Sequence, residues 1–409
     1  MTPEEPSAGH LWSIMGYFLR LGIVGGGGPV ALCGVMKRDL VEQRAWLDKE
    51  AMREAVAASQ ILPGPLAMQV CIFISYARGG LPGAWLGGIS FVLPNVVIVT
   101  ALAALYVHYQ ELSWLNAVLY GATPAVVALI LHASWRLSRL GMEDWFQWAI
   151  ALGAFAATVA AKAELEFVFL GAGLAGWLFY GSPLGGSPLG GSPLGGSPLG
   201  GSRLIGMLGT AASPLKILGP AVQVLPAGTY ESLITFFFKA GALTFGSGLV
   251  LLPALELGVV GESKWLTHRE FLVAATVGMI SQGPVIIMAT FVGYLVAGVS
   301  GALASTVAVF LPSFLLVLVA APILRRHRAN PGLQGCIRGA FGAAIGTISG
   351  AAFLLGRIGI GDAMTVCIGL AALLVLFRFQ ISNLLLITLA GGIGVIAYPI
   401  LQPAWLPAS

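Results

Sequence analysis

The chain contains one sequence twice, and that repeat limits the fold more than any other feature. In the first copy Arg20, Gly22 and Gly27 precede Trp46-Leu47, Gly64-Pro65, Tyr76, Gly83-Ala84, Leu93-Pro94 and Gly121-Ala122. In the second, Lys239, Gly241 and Gly246 precede Trp265-Leu266, Gly283-Pro284, Tyr294, Gly301-Ala302, Leu311-Pro312 and Gly339-Ala340. The offset is 219 positions up to the Gly-Pro pair and 218 beyond it, a constancy that chance similarity between two apolar sequences does not hold over a hundred residues. Only 9% of the 409 residues are charged and 57% are hydrophobic, too little charge to coat water-soluble domains of this length. The partner surface is therefore the lipid bilayer, and duplication in a membrane protein points toward transport.

Residues 11–36, 55–77, 84–107 and 114–135 each approach or exceed the roughly 20 needed to cross a bilayer as helix. None alternates apolar with polar residues, so the fold class is an all-α polytopic membrane protein rather than a barrel. A shorter pair closes each half, 145–161 with 167–180 and 363–377 with 383–400, giving 10 to 13 segments in all. The expected organisation is a first repeat over 1–180, a linker over 181–230 and a second repeat over 231–409. The linker opens with four tandem Gly-Ser-Pro-Leu-Gly units, whose glycines and prolines disfavour helix and sheet. The amino terminus carries Glu4 and Glu5 and no basic region before the first apolar run, so no cleavable leader is expected. Cys33, Cys71, Cys336 and Cys367 lack paired spacing and read as packing residues, with no cofactor and no metal implied. The net charge of +4 suggests no nucleic-acid partner.

Lysine and arginine in short loops weakly favour parallel halves. The loop after the first segment holds Lys37, Arg38, Arg44, Lys49 and Arg53; Lys264 and Arg269 fall in the matching loop of the second half, and Arg325, Arg326 and Arg328 two segments later.

The chemistry concentrates at a few positions. Arg20 and Lys239 are equivalent cations well inside apolar segments, with no acidic residue within a helical turn of either. Such a cation costs about 2.5–3.5 kcal/mol on insertion scales and normally faces a cavity, a partner or a substrate. Just beyond come Gly25, Gly26, Gly27, Gly28 and Pro29, and in the second copy Gly246, Ser247 and Gly248, which should break the helix and free backbone amides for an oxyanion. A second break is expected at Leu62-Pro63-Gly64-Pro65 and Ser281-Gln282-Gly283-Pro284, either as a discontinuous segment or as the tip of a re-entrant hairpin. Gln60, Gln69, Ser281 and Gln282 add neutral hydrogen-bonding groups beside it. Leu93-Pro94 and Leu311-Pro312 read as plain kinks, and Glu54 and Glu256 as weak candidates for a proton-carrying carboxylate.

These stretches resemble the long, two-domain members of the chromate transporter family. The likeness rests on Arg20-Leu21-Gly22 with Gly27-Gly28-Pro29, on Leu62-Pro63-Gly64-Pro65-Leu66-Ala67 with Gln69, and on Phe91-Val92-Leu93-Pro94. In the second half it rests on Lys239-Ala240-Gly241-Ala242, Trp265-Leu266-Thr267, Gln282-Gly283-Pro284-Val285 and Phe310-Leu311-Pro312. The family pattern carries an aromatic residue where this chain has Gly26, and a second glycine where it has Ser247. The resemblance implies export of chromate from the cytoplasm through the inner membrane, driven by the membrane potential or an ion gradient, with sulfate as competitor. It also implies halves of opposite orientation, against the charge count. The coupling ion stays open, and a homodimer is compatible with the pattern. Two other classes compete: a passive oxyanion channel, and an intramembrane enzyme on lipid-linked phosphate, which would need clustered carboxylates or histidines at membrane depth.

Overall fold

The computed structural model describes residues 8–25, 28–109, 113–161, 165–181, 227–246, 252–281, 283–320, 330–379 and 381–401. The first half runs α1 (Ala8–Val24), α2 (Gly28–Lys37), α3 (Lys49–Ile61), the two-residue β1 (Gly64–Pro65), α4 (Leu66–Tyr109), α5 (Ser113–Gly141), α6 (Trp145–Ala156) and α7 (Leu165–Gly181). The second runs α8 (Ala227–Ala242), β2 (Phe245–Gly246), α9 (Leu252–Glu256), α10 (His268–Ile280), α11 (Met288–Leu315), α12 (Pro331–Gly359), α13 (Ala363–Arg378) and α14 (Asn383–Leu401). The repeat extends to backbone detail. After α2 and α9 the helix widens into π-helical turns at Arg38–Gln43 and Leu257–Glu262, and the left-handed residue that follows is Ala45 (φ 48°) in one half and Lys264 (φ 51°) in the other.

Two of the expected crossings in each half prove to be hairpins. α4 reverses at Gly79 and Gly80 and α11 at Ala297 and Gly298, where Gly80 (φ 59°) and Gly298 (φ 62°) occupy a conformation that suits glycine. The arms pack side by side: Thr290 meets Thr306 at 2.7 Å and Ser305 Oγ donates to the Ala289 carbonyl at 2.7 Å. Arm 66–78 returns to the face where α3 began, because Arg78 at its end lies over the Trp46 ring, 4.9 Å from the centroid. α3 and that arm therefore enter and leave on one face, with Gly64-Pro65 at the tip. α1 and α2 form a second such pair: Ile14 and Leu11 pack at the Gly79 turn, Gly22 reaches the Phe91–Pro94 stretch deep in α4, and the chain comes back so that Tyr17 donates to Asp39 at 3.4 Å. Runs 11–36 and 55–77 are long enough to cross but do not, because α1 stops at Val24 and α2, from Gly28, leads back, and the Pro63–Pro65 stretch ends α3 and turns the chain into the first arm of α4. The Leu-Pro pairs, in contrast, lie inside continuing helix; the dihedrals leave the helical region at the two hairpin turns instead.

Among the described residues, five helices are long and apolar enough to cross a membrane by length and composition, and Trp145–Ala160, Phe167–Tyr180 and Ala363–Arg378 are shorter apolar helices. α5 and α12 are equivalent in the repeat and run antiparallel: Ser134 Oγ meets Ser349 Oγ at 2.8 Å, Val127 lies at Gly356 and Thr123 at Gly359. Equivalent crossing helices of opposite direction make the halves inverted, related by a two-fold axis in the membrane plane. The charge count that favoured parallel halves fails for a physical reason. It treated the α10 segment as a crossing, whereas α10 returns through the first arm of α11, so Lys264 and Arg269 lie on the opposite face from the end of α11 and the start of α12.

The closing helices are exchanged between halves. α6 and α7 pack against α12, while α13 and α14 pack against α5. Small residues permit the close approach: a Cβ at Gly121 or Gly394 would collide with the backbone of α14 or α5, and one at Gly176 or Gly339 with that of α12 or α7. Asp144 caps α6 and also accepts from the Tyr180 hydroxyl; Asp362 caps α13 and accepts from Tyr120 of the other half at 2.8 Å. α7 ends on the face where α1 enters. α8 begins on the other, where Tyr230 meets Ser300 at the Ala297–Gly298 turn. The repeated linker units lie outside the described residues.

Candidate functional site

The hairpin tips of the two halves meet inside the membrane. Entering from one face, Gly64-Pro65 pairs in parallel with Phe245-Gly246, which enters from the other, and the Gly64 amide donates to the Thr244 carbonyl. Gly64 is buried with φ 138°, and a Cβ there would run into the Gln69 amide and stand 3.0 Å from Ser313 Oγ. Gly283, at the tip of the second half, faces Asn95 in the same way: a Cβ there would stand 2.8 Å from Asn95 Cγ. Asn95 and Ser313 are equivalent residues, each following the proline of its Leu-Pro pair. Each tip of one half is therefore seated against the long arm of the other. A side chain does not fit at Gly64 or Gly283, which is why glycine stands at both, and the neighbouring prolines remove the backbone donors that would continue a helix.

The predicted site residues divide. Gly64, Pro65, Gly246, Gly283 and Pro284 are drawn together at the tips, with Pro63, Gln69 and Ser281 beside them. Pro63 accepts from Gln69 Nε2 at 2.6 Å, and Ser281 Oγ turns back to the Gly278 carbonyl at 3.0 Å. Gly28 and Pro29 start α2, so the break after α1 falls where the glycines placed it. Gly27, Ser247 and Gln282 lie outside the described residues, as do the side chains of Gln60 and Pro29.

Arg20 and Lys239 do not face the buried core. Each stands in the last turns of its helix, after about 18 Å of α1 or α8, and each is exposed, on the side opposite Phe18 and Leu21 or Phe237 and Ala240. The Gln69 amide nitrogen gives one of its two N–H groups to the Pro63 carbonyl.

Asn95, Ser313 and Thr244 were missed by sequence reading. The available signal was a polar residue directly after Leu-Pro in both copies, Leu93-Pro94-Asn95 and Leu311-Pro312-Ser313. Asn95 Nδ2 donates to the Gly22 carbonyl at 3.0 Å, which ties the end of α1 to the long arm of α4. Gln69 Oε1, Asn95 Oδ1 and Ser313 Oγ are buried with no hydrogen-bond partner, a condition that costs about 1–3 kcal/mol per group. Glu256 is 9% exposed and meets His268 Nδ1 at 3.2 Å near the α8 entry face, well away from the tips, and Glu54 is half-buried.

A family model described as chromate transporter matches residues 12–177 and 232–395, one match in each half. The chain belongs to the chromate transporter family. The chromate transport protein of Cupriavidus metallidurans is 37% identical over 388 residues, covering 94% of this chain and 93% of the relative. The probable chromate transport protein of Synechococcus elongatus is 37% identical over 383 residues, 93% of this chain and 94% of its own length. The chromate transport protein of Pseudomonas aeruginosa is 28% identical over 394 residues, with 93% and 91% covered. No solved structure matches. Membership accounts for the paired halves, since the family model matches once in each.

Proposed function

We propose that this chain is a secondary carrier that exports chromate from the cytoplasm across the inner cell membrane and so confers chromate resistance, with sulfate as a competing dianion of the same shape. The observation that carries the reading is the meeting of unwound tips from opposite faces inside the bilayer of a chromate transporter family member. Tips that enter from both sides give one central position access to either face in turn, as alternating transport requires. Arg20 and Lys239 approach that depth from opposite faces, and the cost of a cation against hydrocarbon supports their standing on the path of the anion. The orientation of the chain is read from Lys37, Arg38, Arg44, Lys49, Arg53, Arg136, Arg139 and Arg338 on the α1 face, against Lys264, Arg269 and Arg357 on the other. The richer face is the cytoplasmic one.

Radiolabelled chromate flux in everted vesicles, with imposed proton or potential gradients, tests substrate, direction and driving force together. Uptake into everted vesicles against a chromate gradient is expected, and Arg20→Gln or Lys239→Gln should abolish it while leaving the protein folded. Normal flux in both variants would remove the two cations from the mechanism. Flux that never runs uphill would make the protein a channel.

A further inference from the structure

Arg44 occupies a seat that one half of the repeat has and the other lacks. Its guanidinium carbon lies 5.1 Å from the centre of the Tyr17 ring and 5.6 Å from that of Trp46, and the two rings meet edge to face at 5.6 Å. Arg78, half-buried at the α4 turn, lies over the same Trp46 ring at 4.9 Å. The second half keeps the aromatic pair, Phe236 against Trp265 at 5.8 Å, but Ser263 stands at the position of Arg44 and Val296 at that of Arg78. The two rings therefore meet without any guanidinium, and packing alone does not require Arg44.

The acid beside it is taken by other donors. Asp39 accepts from Arg38 Nε at 3.0 Å and from the Tyr17 hydroxyl at 3.4 Å. The Arg44 side chain makes no hydrogen bond or ion pair among the described residues, and it is exposed. Contact with aromatic rings uses the charge of a guanidinium and leaves its N–H donors for a planar, two-oxygen grip on an oxyanion. The loop as a whole is neutral: Lys37, Arg38, Arg44, Lys49 and Arg53 balance Asp39, Glu42, Asp48, Glu50 and Glu54. What recognises an anion here is a placed group, not a diffuse field. The seat also adjoins the deeper cation, because Arg20 follows Tyr17 by three residues on α1, about 4.5 Å further along the axis.

We propose that Arg44, seated on Tyr17 and Trp46 with Arg78 bracing the Trp46 ring, is the first binding site for a tetrahedral dianion entering from the α1 face, and that it passes the ion to Arg20. The proposal rests on the reading that this face is cytoplasmic and that the cargo is a chromate-like oxyanion. Ser263 carries no charge at the opposite mouth, so an ion arriving there departs without an equivalent seat to recapture it.

The test follows chromate flux into everted vesicles under one fixed imposed gradient, over a range of chromate concentrations. Arg44→Gln should raise KM about 3- to 10-fold, the loss expected for one exposed charge-assisted contact. The maximal rate should not change, because binding is lost and not the crossing step. Arg44→Lys should recover only part of the effect, since an ammonium keeps the charge without the planar fork. A second readout needs no transport. In a cysteine-free background, sulfate at constant ionic strength should slow the reaction of Gln43→Cys with an impermeant thiol reagent, and Arg44→Gln should remove that protection. Unchanged KM with no protection would overturn the proposal. Protection that depends on Arg44, in a protein that carries no chromate, would uphold the site and refute the transport reading instead. Proteoliposomes of neutral lipid separate cargo from lipid phosphate: an Arg44 effect seen only with anionic phospholipid, without sulfate protection, would assign the seat to the membrane and overturn the proposal.

Discussion

Gly16 and Gly22 stand on the same helix with opposite prospects. Nothing lies within 4 Å of a Cβ at Gly16, whereas one at Gly22 would collide with the Phe91 carbonyl and stand 3.3 Å from Pro94. Gly16→Ala should stabilise the protein by about 0.5–1 kcal/mol through helix propensity. Gly22→Ala should destabilise it by about 1–3 kcal/mol, since overpacking forces α1 away from α4 and strains the Asn95 bond. Thermal melts of the two variants in one detergent check the ordering. At this scale the sequence was partly legible. Gly64-Pro65 and Gly283-Pro284 announce a break because two such residues together cannot continue a helix. Asn95 and Ser313 announce nothing comparable, since their importance arises only when the opposite half brings a glycine against them. Arg20 and Lys239 were legible as misplaced charges, but an apolar run does not say which way its one cation points.

Length misleads at the scale of the element. Twenty-six residues from Leu11 to Met36 satisfy any spanning criterion, yet α1 stops at Val24 and α2, starting at Gly28, leads back to the face where α1 began. The same holds for α3 with the first arm of α4. Hairpin topology has a direct consequence for accessibility. The loop after α2 should share a face with the start of α1, and the loop after α9 should lie on the opposite face. In a cysteine-free background, Gln43→Cys and Gly9→Cys should react with an impermeant thiol reagent from one side of sealed vesicles, and Ser263→Cys from the other. Labelling of Gln43→Cys and Ser263→Cys from the same side would contradict the inverted arrangement.

For the whole molecule, exchange of the closing helices matters most. α12 of the second half lies between α6 and α7 of the first, and α5 of the first against α13 and α14 of the second, so neither half covers its own apolar surface. Expressed separately, residues 1–181 and 227–409 should be degraded or aggregate, and together they should assemble and restore flux. Stable accumulation of either piece alone, judged by size-exclusion chromatography, would count against interdependence. None of this exchange could be read from the repeat, because two copies of one pattern look the same whether each closes on itself or on its twin.

The ends joined by the connector lie on opposite sides of the bilayer. Cutting the gene there would create two polypeptides that must each settle their own insertion direction, one the reverse of the other, with no neighbouring helix to instruct them. The basic residues beside Trp46 would then have to orient the first product, and those near the start of α12, Arg338 among them, would have to orient the second against Lys264 and Arg269 beside Trp265.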